Sequence, residues 1–338
     1  MKKYNVAVVG ATGVVGTEII KILEERKFPI KTLYPLASER SEGAVVAFNE
    51  QAVRVKNLAT FDFNGIDFAL FSAGGSISAE FAPKAANQGA IVIDNTSHFR
   101  MEPDVPLVVP EVNPDALKGH KNIIANPNCS TAQMVLVLKP IHDAVKIKRV
   151  VVSTYQSVSG AGKDAVDELE DQTRKNLNGK TVPASKFPTT IAFNVIPQID
   201  VFLEDGYTKE EEKMIEETKK ILGDESIRLT ATAVRVPVFV GHSESINIET
   251  ERKISPDEVR ALLSKMPGVK VLDDPKNQKY PTPRDTSGDN DVYVGRIRED
   301  RSCENGIELW CVGDNLRKGA ALNAVQIAEE LAKLPVAE

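Results

Sequence analysis

Short apolar runs rich in β-branched residues alternate with longer segments of helical spacing at the start of the chain. Runs at 5–9, 32–36, 68–72, 91–94, 107–109 and 123–125 predict strands, and 13–26 and 79–88 predict helices between them. Strand–helix alternation of this kind predicts a Rossmann-like, doubly wound parallel sheet over residues 1–128. After residue 128 the rhythm changes. The runs 149–155, 227–235 and 241–249 are longer and far apart, which predicts an α+β second domain with a mixed or antiparallel sheet over 129–317. Helical spacing is clear at 164–176 and 209–222. The stretch 271–291, rich in Pro, Asp, Asn and Gly, reads as a loop. Apolar residues return at helical spacing over 318–334, and this C-terminal helix, within 318–338, is expected to join the first domain.

The 338 residues suit two domains rather than one core, and a composition of 42% hydrophobic and 27% charged residues is that of a globular chain. Nowhere do about eighteen apolar residues run together, and the apolar run 6–9 is too short for a signal-peptide core, so a cytoplasmic enzyme with no membrane partner is expected. A net charge of −6 argues against nucleic-acid binding, which needs a basic footprint. It also means that an anionic substrate would need deliberately placed cations. Three cysteines without CxxC or paired Cys/His spacing argue against a disulfide framework and against a metal site.

Two motifs carry chemistry. The first strand leads into Gly10-Ala11-Thr12-Gly13-Val14-Val15-Gly16, a turn that opens a helix and suits the pyrophosphate of a dinucleotide. At the end of the second strand Ser38, Arg40 and Ser41 can surround the 2′-phosphate of NADP, while Glu39 keeps NAD open. Ser72-Ala73-Gly74-Gly75, at another strand end, can line the same cofactor or be an ordinary glycine turn. In Asn126-Pro127-Asn128-Cys129-Ser130-Thr131, a turn hands over to the apolar stretch 134–138. A thiol at a helix start meets free N–H groups and the positive end of the dipole, which favour the nucleophilic thiolate. A small buried packing cysteine is the competing reading.

A nicotinamide domain beside an activated cysteine suggests thioester chemistry between an aldehyde and an acyl group. Such chemistry needs a proton-handling group, and the histidines are His98, His120, His142 and His242. His142 and His120 read as structural, and His98 beside Arg100 is ambiguous. His242 lies seven residues after Arg235, with Pro237 and Gly241 between, so a strand, a turn and a second strand could bring both to one end.

Asn128-Cys129-Ser130-Thr131, the run 156–162 (Gln-Ser-Val-Ser-Gly-Ala-Gly), Arg235-Val236-Pro237 with Gly241-His242-Ser243, and the run 314–321 (Asp-Asn-Leu-Arg-Lys-Gly-Ala-Ala) together resemble the aspartate-β-semialdehyde dehydrogenase family over the whole chain. The resemblance implies NADPH-dependent reduction of L-aspartyl 4-phosphate to aspartate 4-semialdehyde with release of inorganic phosphate, at the branch to lysine, methionine and threonine. It also implies a homodimer joined through the second domain. By the same resemblance Cys129 is the nucleophile, His242 the acid/base group, Gln156 the substrate-orienting amide and Arg235 the carboxylate clamp. Asn128 is placed with the substrate, Glu210 and Lys213 meet its amine and phosphate, and Arg100 binds the phosphate. Thr12, Gly13, Val14, Val15, Arg40, Ser41, Ser159, Gly160 and Asn315 hold the cofactor by the same resemblance, and the loop readings above add Gly10, Ser38, Ser72 and Gly74 to them. Taken without the family, Glu210 and Lys213 read as a solvated charged helix face. Cys311 reads as packing. N-acetyl-γ-glutamyl-phosphate reductase is the nearest rival, but its Asn-Pro-Gly-Cys-Tyr differs from Asn-Pro-Asn-Cys-Ser here. A sugar epimerase would need Tyr-x-x-x-Lys, which no tyrosine of this chain begins. A dinucleotide-sensing module would need only the glycine loop.

Overall fold

The computed structural model describes residues 2–333, which divide into two compact units, 2–128 with 320–333 and 129–319. The first unit is built on β1 (Tyr4–Val9), α1 (Val14–Glu25), β2 (Ile30–Ala37), the hairpin β3 (Val45–Phe48) and β4 (Gln51–Arg54), β5 (Lys56–Asn57), β6 (Phe68–Phe71), α2 (Gly75–Asn87), β7 (Ile91–Asp94) and β8 (Ile123–Ala125). Its main sheet runs β5-β2-β1-β6-β7-β8 with every pair parallel. Alternation along β1 explains the layering. Val6 and Val8 join a core with Ile19, Ile22 and Leu23 of α1 and with Val325 and Ala328 of the C-terminal helix Leu322–Lys333. Ala7 and Val9 face the opposite core, where Ala82 and Ala85 of α2 and Phe71 sit. Chain order reverses between β1 and β6, the position where open α/β sheets leave a crevice for ligands.

The second unit starts with α3 (Cys129–Val145), followed by β9 (Ile147–Gln156), α4 (Lys163–Leu177), α5 (Lys209–Leu222), β10 (Arg228–Arg235), β11 (His242–Thr250), α6 (Pro256–Leu263), β12 (Val269–Val271), α7 (Pro283–Thr286), β13 (Val292–Glu299) and β14 (Gly306–Gly313). Its mixed sheet is ordered β10-β9-β11-β14-β13-β12. β11 is antiparallel to both its neighbours, whereas β10 is parallel to β9 and β12 to β13. α3 lies on one face of this sheet and is buried on nearly all sides, because α5 and α6 pack on it as well as β9, β11, β13 and β14.

Several expectations are corrected. Residues 107–109 are not a strand: Leu107 makes a lone parallel bridge to Ala125, and the Asn113 side chain takes the Val109 N–H and supplies a donor to the Leu107 carbonyl. Backbone pairing with β8 is confined to Ala125, through the Val108 N–H and the Pro106 carbonyl, and the Asn113 side chain caps the outer edge where a further strand would pair. The stretch 271–291 carries the end of β12, a 3-10 turn and α7 rather than loop alone. The C-terminal helix begins at Leu322, after a π-type turn over Arg317–Ala321, and the expected continuation over 334–338 lies outside the described residues. No helix among the described residues is long and apolar enough to cross a membrane.

Candidate active site

In the first unit the glycine loop has the geometry of a phosphate cradle. Gly10 has φ +86°, and a Cβ there would stand 3.0 Å from the Ser72 backbone; a Cβ on Gly16 would come within 2.1 Å of the Gly10 carbonyl oxygen. Only glycine lets β1, α1 and the end of β6 approach this closely. Gly13 is the N-cap of α1 and offers no side chain to its free N–H groups, Val14 and Val15 form its first turn, and Thr12 is exposed beside them. Gly74, φ +97°, likewise caps α2 without a side-chain bond, and Ser72 donates to the Val9 carbonyl at 3.2 Å. Two uncapped helix N-termini beside adjacent strands fit a dinucleotide's phosphates. Ser38, Glu39 and Arg40 are exposed on the 3-10 turn after β2, with the Ser41 N–H closing onto the Ser38 carbonyl. Arg100 is buried and donates to the carbonyls of Asn95 and Asn126, both at 2.9 Å.

In the second unit the strand register gathers the remaining groups. Arg235 pairs with Gln156, and His242 pairs with Gly313. Because Glu244 lies opposite Thr154, Gln156 falls opposite His242, so Arg235, Gln156, His242 and Gly313 form one row across β10, β9, β11 and β14. The Gln133 amide donates to the His242 carbonyl at 3.3 Å, setting the first turns of α3 over this row. Cys129, half-buried, is one turn earlier on the same helix face. A Cβ on Gly319 would meet the Cys129 Cβ at 2.7 Å, which is why that position carries no side chain.

His242 is fully buried. Its Nδ1 accepts the Ser157 backbone N–H at 3.1 Å, so the neutral ring carries its proton on Nε2. Burial first, and the nearby Arg235 charge second, push its pKa down to about 3. Among the described residues Nε2 has no hydrogen-bond partner. It faces Gly160, where an added Cβ would stand 3.2 Å from both His242 Nε2 and Arg235 Nη1. Ser157 and Ser159 hydroxyls donate to Asn315 Oδ1 at 3.0 and 3.2 Å, and the Gly241 N–H donates to it at 2.9 Å. Ser159 and Asn315, expected at the cofactor, thus brace the histidine turn. Ser157 stands inside one of the motifs above, yet its hold on Nδ1 depends on the β9–β11 register.

An unfolded histidine titrates near 6.5, so between that pH and about 3 the unfolded chain binds a proton that folded His242 refuses. The stability of the neutral site is complete above pH 6.5 and is lost as the pH falls toward 3, by a few kcal/mol at most on the order of 1.4 per unit. Denaturant unfolding from about pH 7 down to about pH 4 should show a steeper loss for the wild type than for His242→Asn. Equal slopes would exclude His242 as the source.

Arg235 is buried, donates from Nη1 to the Ser157 carbonyl at 2.6 Å, and lies 6.0 Å from the Phe187 ring. Burial opposes its charge, and Glu210 and Cys129 favour it. Glu210 is buried too and accepts from Gln156 Nε2 at 3.2 Å, so the solvated-face reading fails for it. A capping box between Thr208 and Glu211 starts α5 there, and Glu211 also takes the Ala233 N–H, tying the helix to β10. Lys213 is paired with Asp200 at 2.8 Å and Glu210 at 3.4 Å, and nothing in the sequence had marked Asp200. Asn128 is buried, and Cys303 and Cys311 are free thiols outside this row. Among the described residues no group of His, Cys, Asp and Glu could hold a metal ion.

Residues 5–120 match the family described as semialdehyde dehydrogenase, NAD binding domain, and 138–318 match semialdehyde dehydrogenase, dimerisation domain. Aspartate-semialdehyde dehydrogenase of Aquifex aeolicus is 60% identical over 334 residues, covering 98% of each chain. The chain belongs to the aspartate-semialdehyde dehydrogenase family. The family's Bacillus subtilis member is 53% identical over 98% of each chain. A crystal structure of aspartate semialdehyde dehydrogenase II from Vibrio cholerae, complexed with ASA, has a TM-score of 0.97 at 53% identity, covering 98% of this chain and 99% of that one. The Candida albicans enzyme, solved with NADP, has a TM-score of 0.78 at 27% identity, covering 98% of this chain and 99% of that one. Membership makes the chain an oxidoreductase with a nicotinamide cofactor and a small-molecule substrate.

Proposed function

We propose that the chain reduces L-aspartyl 4-phosphate to L-aspartate 4-semialdehyde with NADPH, through a thioester on Cys129, in the biosynthesis of lysine, methionine and threonine. The observation that carries this reading is the row Arg235-Gln156-His242 beneath the helix that starts at Cys129. The Cys129 thiolate attacks the acyl-phosphate carbon, the carbon–oxygen bond breaks, and its electron pair leaves with phosphate. The cofactor, when bound, supplies the hydride that takes the acyl group to the aldehyde level. His242, neutral with its proton on Nε2, donates a hydrogen bond to the oxygen that becomes negative while the carbon is tetrahedral, and keeps that proton as the oxyanion collapses, the carbon–sulfur bond breaks and the Cys129 thiolate leaves. Arg235 clamps the substrate carboxylate, Gln156 orients the acyl chain, and Glu210 with Lys213 meets its amine and phosphate. Arg100 and Asn128 complete the substrate contacts. NADP is favoured over NAD by Ser38, Arg40 and Ser41, and the glycine loop with Ser72 and Gly74 receives the phosphates. Gly160 leaves room beside His242 for reactants.

The second unit also carries the surface suited to a homodimer. On the sheet face away from α3, Tyr155 is exposed and its ring lies 5.4 Å from that of Trp310. The functional test runs the reaction in reverse, following NADPH formation from aspartate semialdehyde. Activity should require phosphate and should be greater with NADP than with NAD at equal concentration. Full activity without phosphate would contradict the acyl-phosphate assignment.

A further inference from the structure

One row below Arg235-Gln156-His242, the same sheet face carries a second set of polar groups that the reaction above does not use. Thr154 on β9 lies opposite Glu244 on β11, which in turn lies opposite Cys311 on β14, and all three are completely buried. α3 covers them. Its Gln133 reaches between the two rows, donating from Nε2 to the His242 carbonyl, while a Cβ on Gly313 would stand 2.8 Å from Gln133 Oε1. Glycine at 313 is therefore what admits this amide.

The hydrogen-bond inventory of the pair is lopsided. Among the described residues Gln133 Oε1 and both Glu244 carboxyl oxygens lack partners. Those atoms are all acceptors while Glu244 is ionised, and a buried acceptor without a donor is costly. The second Nε2 hydrogen of Gln133 can turn toward Glu244, but that leaves Oε1, set beside Gly313, without a donor. One proton resolves the conflict. A carboxylic acid O–H on Glu244 donates to Gln133 Oε1 and leaves Nε2 to hold His242. Among the described residues no cation acts on Glu244: its neighbours are Thr154 from β9, the Cys311 thiol from β14, Gln133 from α3 and neutral His242 on its own strand. Arg235 lies one row nearer the strand ends and two strands away. Burial accordingly pushes the Glu244 carboxyl well above its ordinary range, partly offset by Gln133, and burial pushes up the Cys311 thiol as well.

We propose that Glu244 is a positioning residue that stays protonated and, through Gln133, locks the helix bearing Cys129 to the strand bearing His242. The nucleophile and the hydrogen-bond donor sit on different elements, and the Glu244–Gln133–His242 link fixes their spacing. A small misplacement of such groups lowers turnover far more than binding. The inference rests on the assignment of Cys129 and His242 to the reaction, but its first test does not depend on activity.

Infrared difference spectra between the wild type and Glu244→Gln at mildly alkaline pH should show the carbonyl band of a buried protonated carboxylic acid that only the wild type has. Its absence would overturn the proposal. In kinetics, Glu244→Gln, which can still donate to Gln133 Oε1, should keep kcat within about threefold of the wild type, whereas Glu244→Met, of similar volume without a donor, should lower kcat roughly tenfold or more with KM little changed. A Gln variant as poor as the Met variant would mean that the carboxylate is needed in its charged form. A Met variant as active as the wild type would leave the residue with packing alone. Either result ends the proposal, and if Glu244→Met does not fold, the infrared band and the Gln variant still decide it. Should Cys129 prove dispensable for turnover, the band would persist while the positional argument lost its object, so the two failures are distinguishable.

Discussion

Cys129→Ala is expected to lose roughly four orders of magnitude or more in kcat while folding normally. The size of the loss follows from the chemistry. Without the thiolate there is no acyl-enzyme, and the remaining groups can only bind substrate and polarise its carbonyl. Ala fits the same space, since Gly319 already leaves room for the Cys129 Cβ, and Ala keeps that atom while removing only the sulfur. Thermal unfolding should therefore be nearly unchanged. Steady-state assays in both directions, on protein checked for its melting temperature, would detect a residual rate. More than about one per cent of wild-type turnover would contradict covalent catalysis by this residue.

Arg235→Lys is expected to lower kcat/KM roughly a hundredfold, mostly through KM. Charge is retained, so a smaller effect would follow if charge were all that mattered. The structure says otherwise: one guanidinium nitrogen is committed to the Ser157 carbonyl at 2.6 Å, and only the remaining arm of a planar fork can face a carboxylate. Lysine has one nitrogen for both tasks. Loosening Ser157 also loosens the backbone N–H that fixes the His242 tautomer, so kcat should fall by a smaller factor. Kinetics within threefold of the wild type would remove Arg235 from the substrate site.

Much of this was legible in the sequence, for physical reasons. The strand–glycine–helix transition at 9–14 and the Asn-Pro-Asn run before α3 are local signals, and local signals survive in a bare sequence. The strands that the sequence misjudges are decided at a distance. Residues 107–109 have β-rich composition but pair with β8 only at Ala125, with Asn113 capping their outer edge, and β13, preceded by Asp, Asn and Gly, exists because β14 pairs with it. α6 had its signal in Ser255-Pro256 and Glu258, a capping box that the charged composition of its neighbourhood obscured. The site divides in the same way. Cys129, His242 and Arg235 stand in motifs, whereas the functions of Ser157, Gln133 and Glu244 arise only when β9, β11 and α3 are brought into register. Glu210 shows the converse error: a residue in a run of charges that looks solvated is buried beside Gln156, because α5 docks its first turn on β10.

The central claim is that the acyl group is carried on Cys129, and mass spectrometry of the intact protein tests it most directly. Enzyme incubated with aspartate semialdehyde and NADP in the absence of phosphate, then quenched in acid, should gain the mass of one aspartyl group, mapped by peptide analysis to Cys129 and discharged when phosphate is added before the quench. An adduct on another residue, or none while NADPH is still formed, would contradict the account.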